Sequence, residues 1–167
     1  MEGKKNNIEG NREMSITRTL KVPRELVWKV WTSPEHVKYW WGPDGFTNTI
    51  SQMDVRPDGV WEFIMHGPDG TDYKNKHIYK EVMKPEKLVL QHVTGPKFLM
   101  TVTFEEHGDQ TLVRIHSLFE SAEQLQEVVK VFKADEGMRQ NAERMEIYLK
   151  ELNIMEKQVK QTTDSKN

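Results

Sequence analysis

Residues 121–152 read SAEQLQEVVKVFKADEGMRQNAERMEIYLKEL, and this stretch decides the fold. Ser121 stands three residues before Gln124. At that spacing the serine oxygen can accept a helix N–H that has no intrahelical partner, while the glutamine side chain reaches back toward the entering chain. Leu125, Val128, Val129 and Phe132 then recur on one face. Beyond a polar patch from Lys133 to Gly137 the face resumes as Met138, Ala142, Met145, Leu149 and Leu152. Steps of three and four put these residues on one stripe, so the spacing predicts a single long helix over 121–152. What precedes it reads as strands with two short helices inserted. A lone long helix after a run of strands needs a sheet to bury its stripe.

Working outward, each strand is marked by alternation and by the turn that ends it. Residues 15–21 alternate, with Ile16, Arg18 and Leu20 against Ser15, Thr17 and Thr19. Pro23 opens a short helix that carries Val27, Val30 and Trp31. Ser33-Pro34-Glu35 opens a second, with Ser33 as cap and with Val37, Trp40 and Trp41 as apolar residues, and Gly42-Pro43 ends it. Strands follow over 46–55, 60–66, 72–83, 87–93, 98–105 and 110–119. Their separators are Pro57-Asp58-Gly59, Gly67-Pro68-Asp69-Gly70, Pro85-Glu86, Gly95-Pro96 and Gly108-Asp109. Connections this short suit antiparallel neighbours. The expected class is α+β: a curved antiparallel sheet wrapped around the C-terminal helix, with two short helices between the first and second strands. Residues 1–13 read as a flexible polar tail, 14–152 as one domain and 153–167 as a polar tail that frays.

A chain of 167 residues is long enough for one well-filled core. Its net charge of -2 gives no bulk attraction to nucleic acid or to an anionic membrane. With no cysteine there are no disulfides, thiolate metal sites or cysteine nucleophiles. No apolar run approaches the ~20 residues of a membrane span, and the first residues lack the apolar core of a signal peptide. The expectation is a cytoplasmic monomer without nucleic-acid or membrane partners.

The order strand, two short helices, six strands, long helix resembles the helix-grip pattern of START-like proteins. The local motifs are similar to those of the activator of heat shock protein 90 ATPase homologue family. They are Pro23 to Trp31 (PRELVWKVW), Ser33-Pro34-Glu35-His36, Trp40-Trp41-Gly42-Pro43, Pro57-Asp58-Gly59, Pro85-Glu86-Lys87-Leu88, Leu118-Phe119-Glu120-Ser121 and Gly137-Met138. The resemblance spans about residues 15–152. It departs at Glu120, where the family often has proline, and after Gly137, where the family has a tryptophan that Met138-Arg139-Gln140-Asn141 does not supply. The resemblance implies either a ligand-binding fold or a co-chaperone that docks on a chaperone ATPase.

A bent sheet around one helix encloses volume, and such cavities hold apolar molecules. Alternation suggests which residues face it. Trp61, Phe63 and Met65 share a side of their strand. Lys74, Lys76 and Lys80 should face water, which points Tyr73, His77 and Tyr79 inward. His92, Met100 and Val102 belong to the later strands' inward sets, and Met138 and Met145 to the helix. Adjacent tryptophans cannot both face one way on a helix, so one of Trp40 and Trp41 can stand at the cavity mouth, and we assign Trp40. The expected ligand site is therefore Trp40, Trp61, Phe63, Met65, Tyr73, His77, Tyr79, His92, Met100, Val102, Met138 and Met145. Its ligand is a small hydrophobic or aromatic molecule of lipid-, flavonoid- or polyketide-like character, with Tyr73, His77 or Tyr79 fixing orientation.

Catalytic signatures are sparse. The six histidines include no His-Glu-x-x-His zinc spacing, although His77 and His92 could meet across adjacent strands. There is no Gly-x-Ser-x-Gly elbow, phosphate loop or dinucleotide fingerprint. The expectation is a binding protein with no catalytic residues, cofactor or metal. A cyclase using His77 with Tyr73 or Tyr79 is the enzymatic alternative.

Overall fold

The computed structural model describes residues 7–9 and 12–165. Two strands, β1 (Asn7–Glu9) and β2 (Glu13–Leu20), precede two short helices, α1 (Arg24–Thr32) and α2 (Pro34–Trp40). Six strands follow: β3 (Thr47–Met53), β4 (Val60–His66), β5 (Asp72–Met83), β6 (Lys87–His92), β7 (Phe98–His107) and β8 (Gln110–Phe119). The chain then forms α3 (Ala122–Phe132) and α4 (Ala134–Ser165). One antiparallel sheet runs in the order β1-β2-β8-β7-β6-β5-β4-β3. The helices α1 and α2 carry the chain from β2 to the far edge, and the meander returns until β8 lies beside β2. This is the helix-grip arrangement.

Two bulges help bend the sheet. Ser51 is the extra residue between Ile50 and Gln52 on β3, and Lys80 the extra residue between Tyr79 and Glu81 on β5. An unpaired residue adds twist and curls its strand. On the concave face Ala142, Met145 and Leu149 of α4 are wholly buried, and Met138 and Leu152 pack at the ends of the same stripe. The stripe read from sequence is therefore the one that meets the sheet.

The stripe does not lie on one helix. Lys133 adopts the left-handed conformation, with φ 52°, and its N–H closes α3 by bonding to the Val128 and Val129 carbonyls. The polar patch that the periodicity bridged is a helix boundary. Asp135 and Glu136 sit in the first turn of α4, where carboxylates favour a fresh N-terminus. Phe132, expected on the buried stripe, is 65% exposed as a result. At the other end of α3, Ser121 Oγ accepts the Gln124 N–H and Gln124 Oε1 accepts the Glu120 N–H, which is the reciprocal cap expected from the spacing. Ser33 occupies the cap position of α2, but it offers its backbone carbonyl rather than its hydroxyl.

Both tails differ from expectation. Residues 7–9 pair with Glu13 to Ser15 as an edge strand, while the rest of the expected tail before residue 12 lies outside the described residues. At the other end α4 continues to Ser165, so 153–165 is helix instead of a frayed tail.

Lys133 gives a first prediction. An L-residue with a side chain pays about 1 kcal/mol or more for the left-handed conformation, and glycine does not. Lys133→Gly should raise the melting temperature by about 2–4 °C. A fall of that size in a thermal melt would show that the α3–α4 boundary lies elsewhere.

Candidate functional site

Between the concave sheet and the α3–α4 junction lies a cavity of about 770 Å³. It occupies one end of the grip. There the last residues of β4 and β8 meet the first residues of β2, β5 and β7. The other end is packed solid. Trp28, Trp31 and Phe104 meet edge to face there, Trp40 stacks edge-on against Trp31 at 4.9 Å, and Met145 accepts the Trp31 indole N–H at 3.0 Å.

This division sorts the expected site residues. Phe63, Met65, Tyr73, His77, His92, Met100 and Met138 line the cavity. Trp40, Trp61, Tyr79, Val102 and Met145 do not line it: all are buried in the core. They share a sheet or helix face with the lining residues but sit at another level, where α1 and α2 fill the grip. Trp40 donates its indole N–H to the Val30 carbonyl, and its neighbour Trp41 takes the cavity wall. Met14, Phe98, Ile115, Ser117 and Phe119 also line the cavity and were not anticipated. Their signal was present, since Ile115, Ser117 and Phe119 alternate on β8 and pair with β7.

The wall that carries Trp41 is a loop clamped by α4. Arg144 Nη1 donates to the carbonyls of Trp41, Gly42 and Pro43, and Nη2 to those of Tyr39 and Phe46. Asn141 Oδ1 accepts the Gly42 N–H, and Gln140 Oε1 accepts that of Asp44. Gly42 turns with φ +99°, a region that favours glycine. Gly137 lets α4 come close, because a Cβ there would stand 3.3 Å from Pro43 Cγ. The motifs Trp40-Trp41-Gly42-Pro43 and Gly137-Met138 thus meet in space.

The polar centre of the cavity is a histidine pair. His77 and His92 are register partners on β5 and β6, with ring centroids 4.9 Å apart. His92 is satisfied. Its Nδ1 lies 2.7 Å from the Pro96 carbonyl, which fixes the proton on Nδ1, and its Nε2 accepts from the Thr94 hydroxyl at 3.1 Å; Asn75 Oδ1, 2.7 Å from Nε2, is an acceptor and does not pair with the neutral ring in this tautomer. His77 is only 2% exposed, stacks on Trp61 and Phe63, and has no partner for either ring nitrogen among the described residues. The expected grouping of His77 with Tyr73 and Tyr79 does not form. Tyr73 stands at the rim against Phe46, and Tyr79 lies buried in the packed end, where burial raises its phenol pKa. Among the described residues no three His, Cys, Asp or Glu side chains are grouped to hold a metal ion.

Residues 21–150 match the family model described as Activator of Hsp90 ATPase homolog 1-like protein. The chain belongs to this family. Among solved structures, a protein of Arthrobacter aurescens is similar, at 25% identity and TM-score 0.82 over 87% of this chain and 91% of that one. A Nitrosomonas europaea protein shares the fold at 23% identity and TM-score 0.76, over 86% and 97% of the two chains. An Aeromonas hydrophila protein titled AHSA1-like shares it at 18% identity and TM-score 0.65, over 83% and 94%. No curated protein matches the chain. Among the described residues no helix is long and apolar enough to cross a membrane.

In this Hsp90-activator-like domain, burial holds His77 well below the ordinary imidazole pKa, with His92 opposing its charge as well, and burial also lowers His92. Both rings therefore fold neutral, and the sign of the pH effect follows. Above about pH 6.5 the rings are neutral folded or unfolded, and their contribution to stability is complete. Below it the unfolded chain takes up protons that the folded rings refuse, so stability falls as pH falls. The slope approaches about 1.4 kcal/mol per pH unit for His77, whose pKa burial holds well below the ordinary value, and His92 adds a smaller part. Melting temperatures measured between about pH 7 and pH 5 should drop, and His77→Phe should flatten the drop. Parallel curves for the two proteins would contradict a neutral, buried His77.

Proposed function

We propose that the protein is a receptor for a small apolar or aromatic molecule, lipid-, flavonoid- or polyketide-like, and not an enzyme. The observation that carries this reading is a cavity of about 770 Å³ with an apolar wall and a buried histidine that has no partner for either nitrogen among the described residues. A volume of this size suits a drug-sized molecule. Burying the apolar body supplies the affinity, and a hydrogen bond to His77 orients it and satisfies a group that otherwise costs about 1–3 kcal/mol. The titratable ring beside His77 is that of His92, itself hydrogen-bonded to the Pro96 carbonyl, so the pair supplies hydrogen bonds and not a charged acid–base couple. A lack of cysteine suits a reducing cytoplasm, and a monomer is the form we propose.

Aromatic alcohols, flavonoids and long-chain alcohols should raise the melting temperature in proportion to the logarithm of ligand concentration above Kd. The stabilisation reaches about 2.7 kcal/mol at a hundredfold excess over Kd. Flat melting curves across these classes would reject the reading. Family membership favours a second one, stimulation of an Hsp90-type ATPase. It is separated by adding the ligand-free protein to such an ATPase: an unchanged hydrolysis rate fits the receptor, and stimulation fits the co-chaperone.

A further inference from the structure

The charges that line the cavity are all at its mouth. Asp72, Lys74, Lys133 and Glu136 are exposed. Deeper in, the polar side chains are Asn75, His77, His92 and Ser117, none of which carries a fixed charge. Around His77 stand Trp61 and Phe63 from β4, Trp41 from the clamped loop, His92 from β6 and Phe98 from β7. Among the described residues the one electrostatic neighbour that acts on His77 is His92, so no carboxylate supports an imidazolium there and no lysine or arginine supports a ligand's negative charge.

From this arrangement, and resting on the receptor reading above, we infer that the cavity selects molecules whose buried end is an uncharged hydroxyl, phenol or alcohol, over carboxylates. A neutral imidazole offers one N–H donor and one bare nitrogen acceptor. Neither nitrogen is exposed to the cavity as the ring stands, so the ring must turn toward the ligand; a hydroxyl then satisfies whichever nitrogen it meets, because it donates and accepts. A carboxylate can only accept, so it fits the N–H alone and buries its charge unpaired, which is strongly unfavourable. Protonating His77 to balance it would put a second charge in the same apolar shell, against the burial that already lowers its pKa. An acid can still enter tail first and leave its head near Lys74 and Lys133. In that pose His77 stays unpaired and contributes nothing to affinity.

The test pairs naphthol with naphthoic acid, two bodies of the same shape, near neutral pH, where the first is neutral and the second ionised. Calorimetric titration of the whole chain should show naphthol binding on the order of tenfold or more tighter. His77→Phe should weaken naphthol by about tenfold and leave naphthoate nearly unchanged. In the unsubstituted protein naphthol should move the imidazole nitrogen resonances of His77 and not those of exposed His107, a readout that does not depend on the variant folding. Naphthoate binding as tightly as naphthol, or His77 resonances that stay put at saturation, would overturn the selectivity while leaving the receptor reading intact. Failure of both compounds and of longer alcohols to bind would remove the receptor reading and this inference together.

Discussion

Met145→Asp should yield a chain that does not fold. The Met145 side chain is fully buried where α4 crosses the packed end of the sheet, and its sulfur accepts the Trp31 indole N–H. A carboxylate there meets the aromatic and aliphatic side chains of the core, and the buried Arg18 on β2 is already paired with Glu146. An uncompensated buried charge costs about 3–5 kcal/mol, a large share of the roughly 5–15 kcal/mol that holds a typical domain together. Near-ultraviolet dichroism and dispersed methyl resonances should both be lost. Ile147→Asp, two residues away on the outward face at 50% exposure, is the control and should melt within a few degrees of the unsubstituted protein. A cooperative, near-normal melt for Met145→Asp would show that the helix is not gripped at this level.

Ser117→Trp should abolish ligand binding while the fold survives. Ser117 lies on the inward face of β8, pairs with Met14 on one side and Met100 on the other, and lines the cavity with both. A serine there leaves open the space that an indole would fill. Because that space lies largely outside the packed end, the substitution does not press on Trp40 or Phe104, and of that cluster only Trp31 reaches the cavity wall. The expected result is a loss of more than about tenfold in affinity for naphthol or a long-chain alcohol, with the melting temperature changed by a few degrees. Unfolding would place Ser117 in a tight core, and unchanged affinity would place the ligand elsewhere.

The contrast between these two sites shows what could be read from residues alone. Alternation identifies which face of a strand points inward, and it does so correctly for Trp61, Phe63, His77 and Tyr79. It does not say at which height along the strand a residue sits relative to the helices that plug the grip. Phe63 and His77 fall at the open end, while Trp61 and Tyr79, each two residues away on the same strand and face, fall in the packed end. Trp40 and Trp41 exchange roles for a related reason. The first closes on Trp31 within the helical layer, and the second, at the end of α2, turns into the wall through the loop that Arg144 clamps. The capping signals at Ser121 and Gln124 are local and were legible. The break at Lys133 was visible only as a polar patch, because periodicity can step across a single left-handed residue and resume in phase. The hydrogen-bond state that sets His77 apart from His92 depends on Pro96 and Thr94, which belong to a loop whose path no local pattern specifies.

Methionine methyl resonances give the most direct measurement of the cavity itself. Met14, Met65, Met100 and Met138 line it from four different elements, whereas Met83 and Met155 are exposed on the surface away from it. In a titration with naphthol, saturable shifts should appear at Met14, Met65, Met100 and Met138 and be absent at Met83 and Met155. Shifts confined to Met83 or Met155, or no saturable shift at the four lining methyls, would mean that the space between sheet and helix is not where this protein takes a ligand.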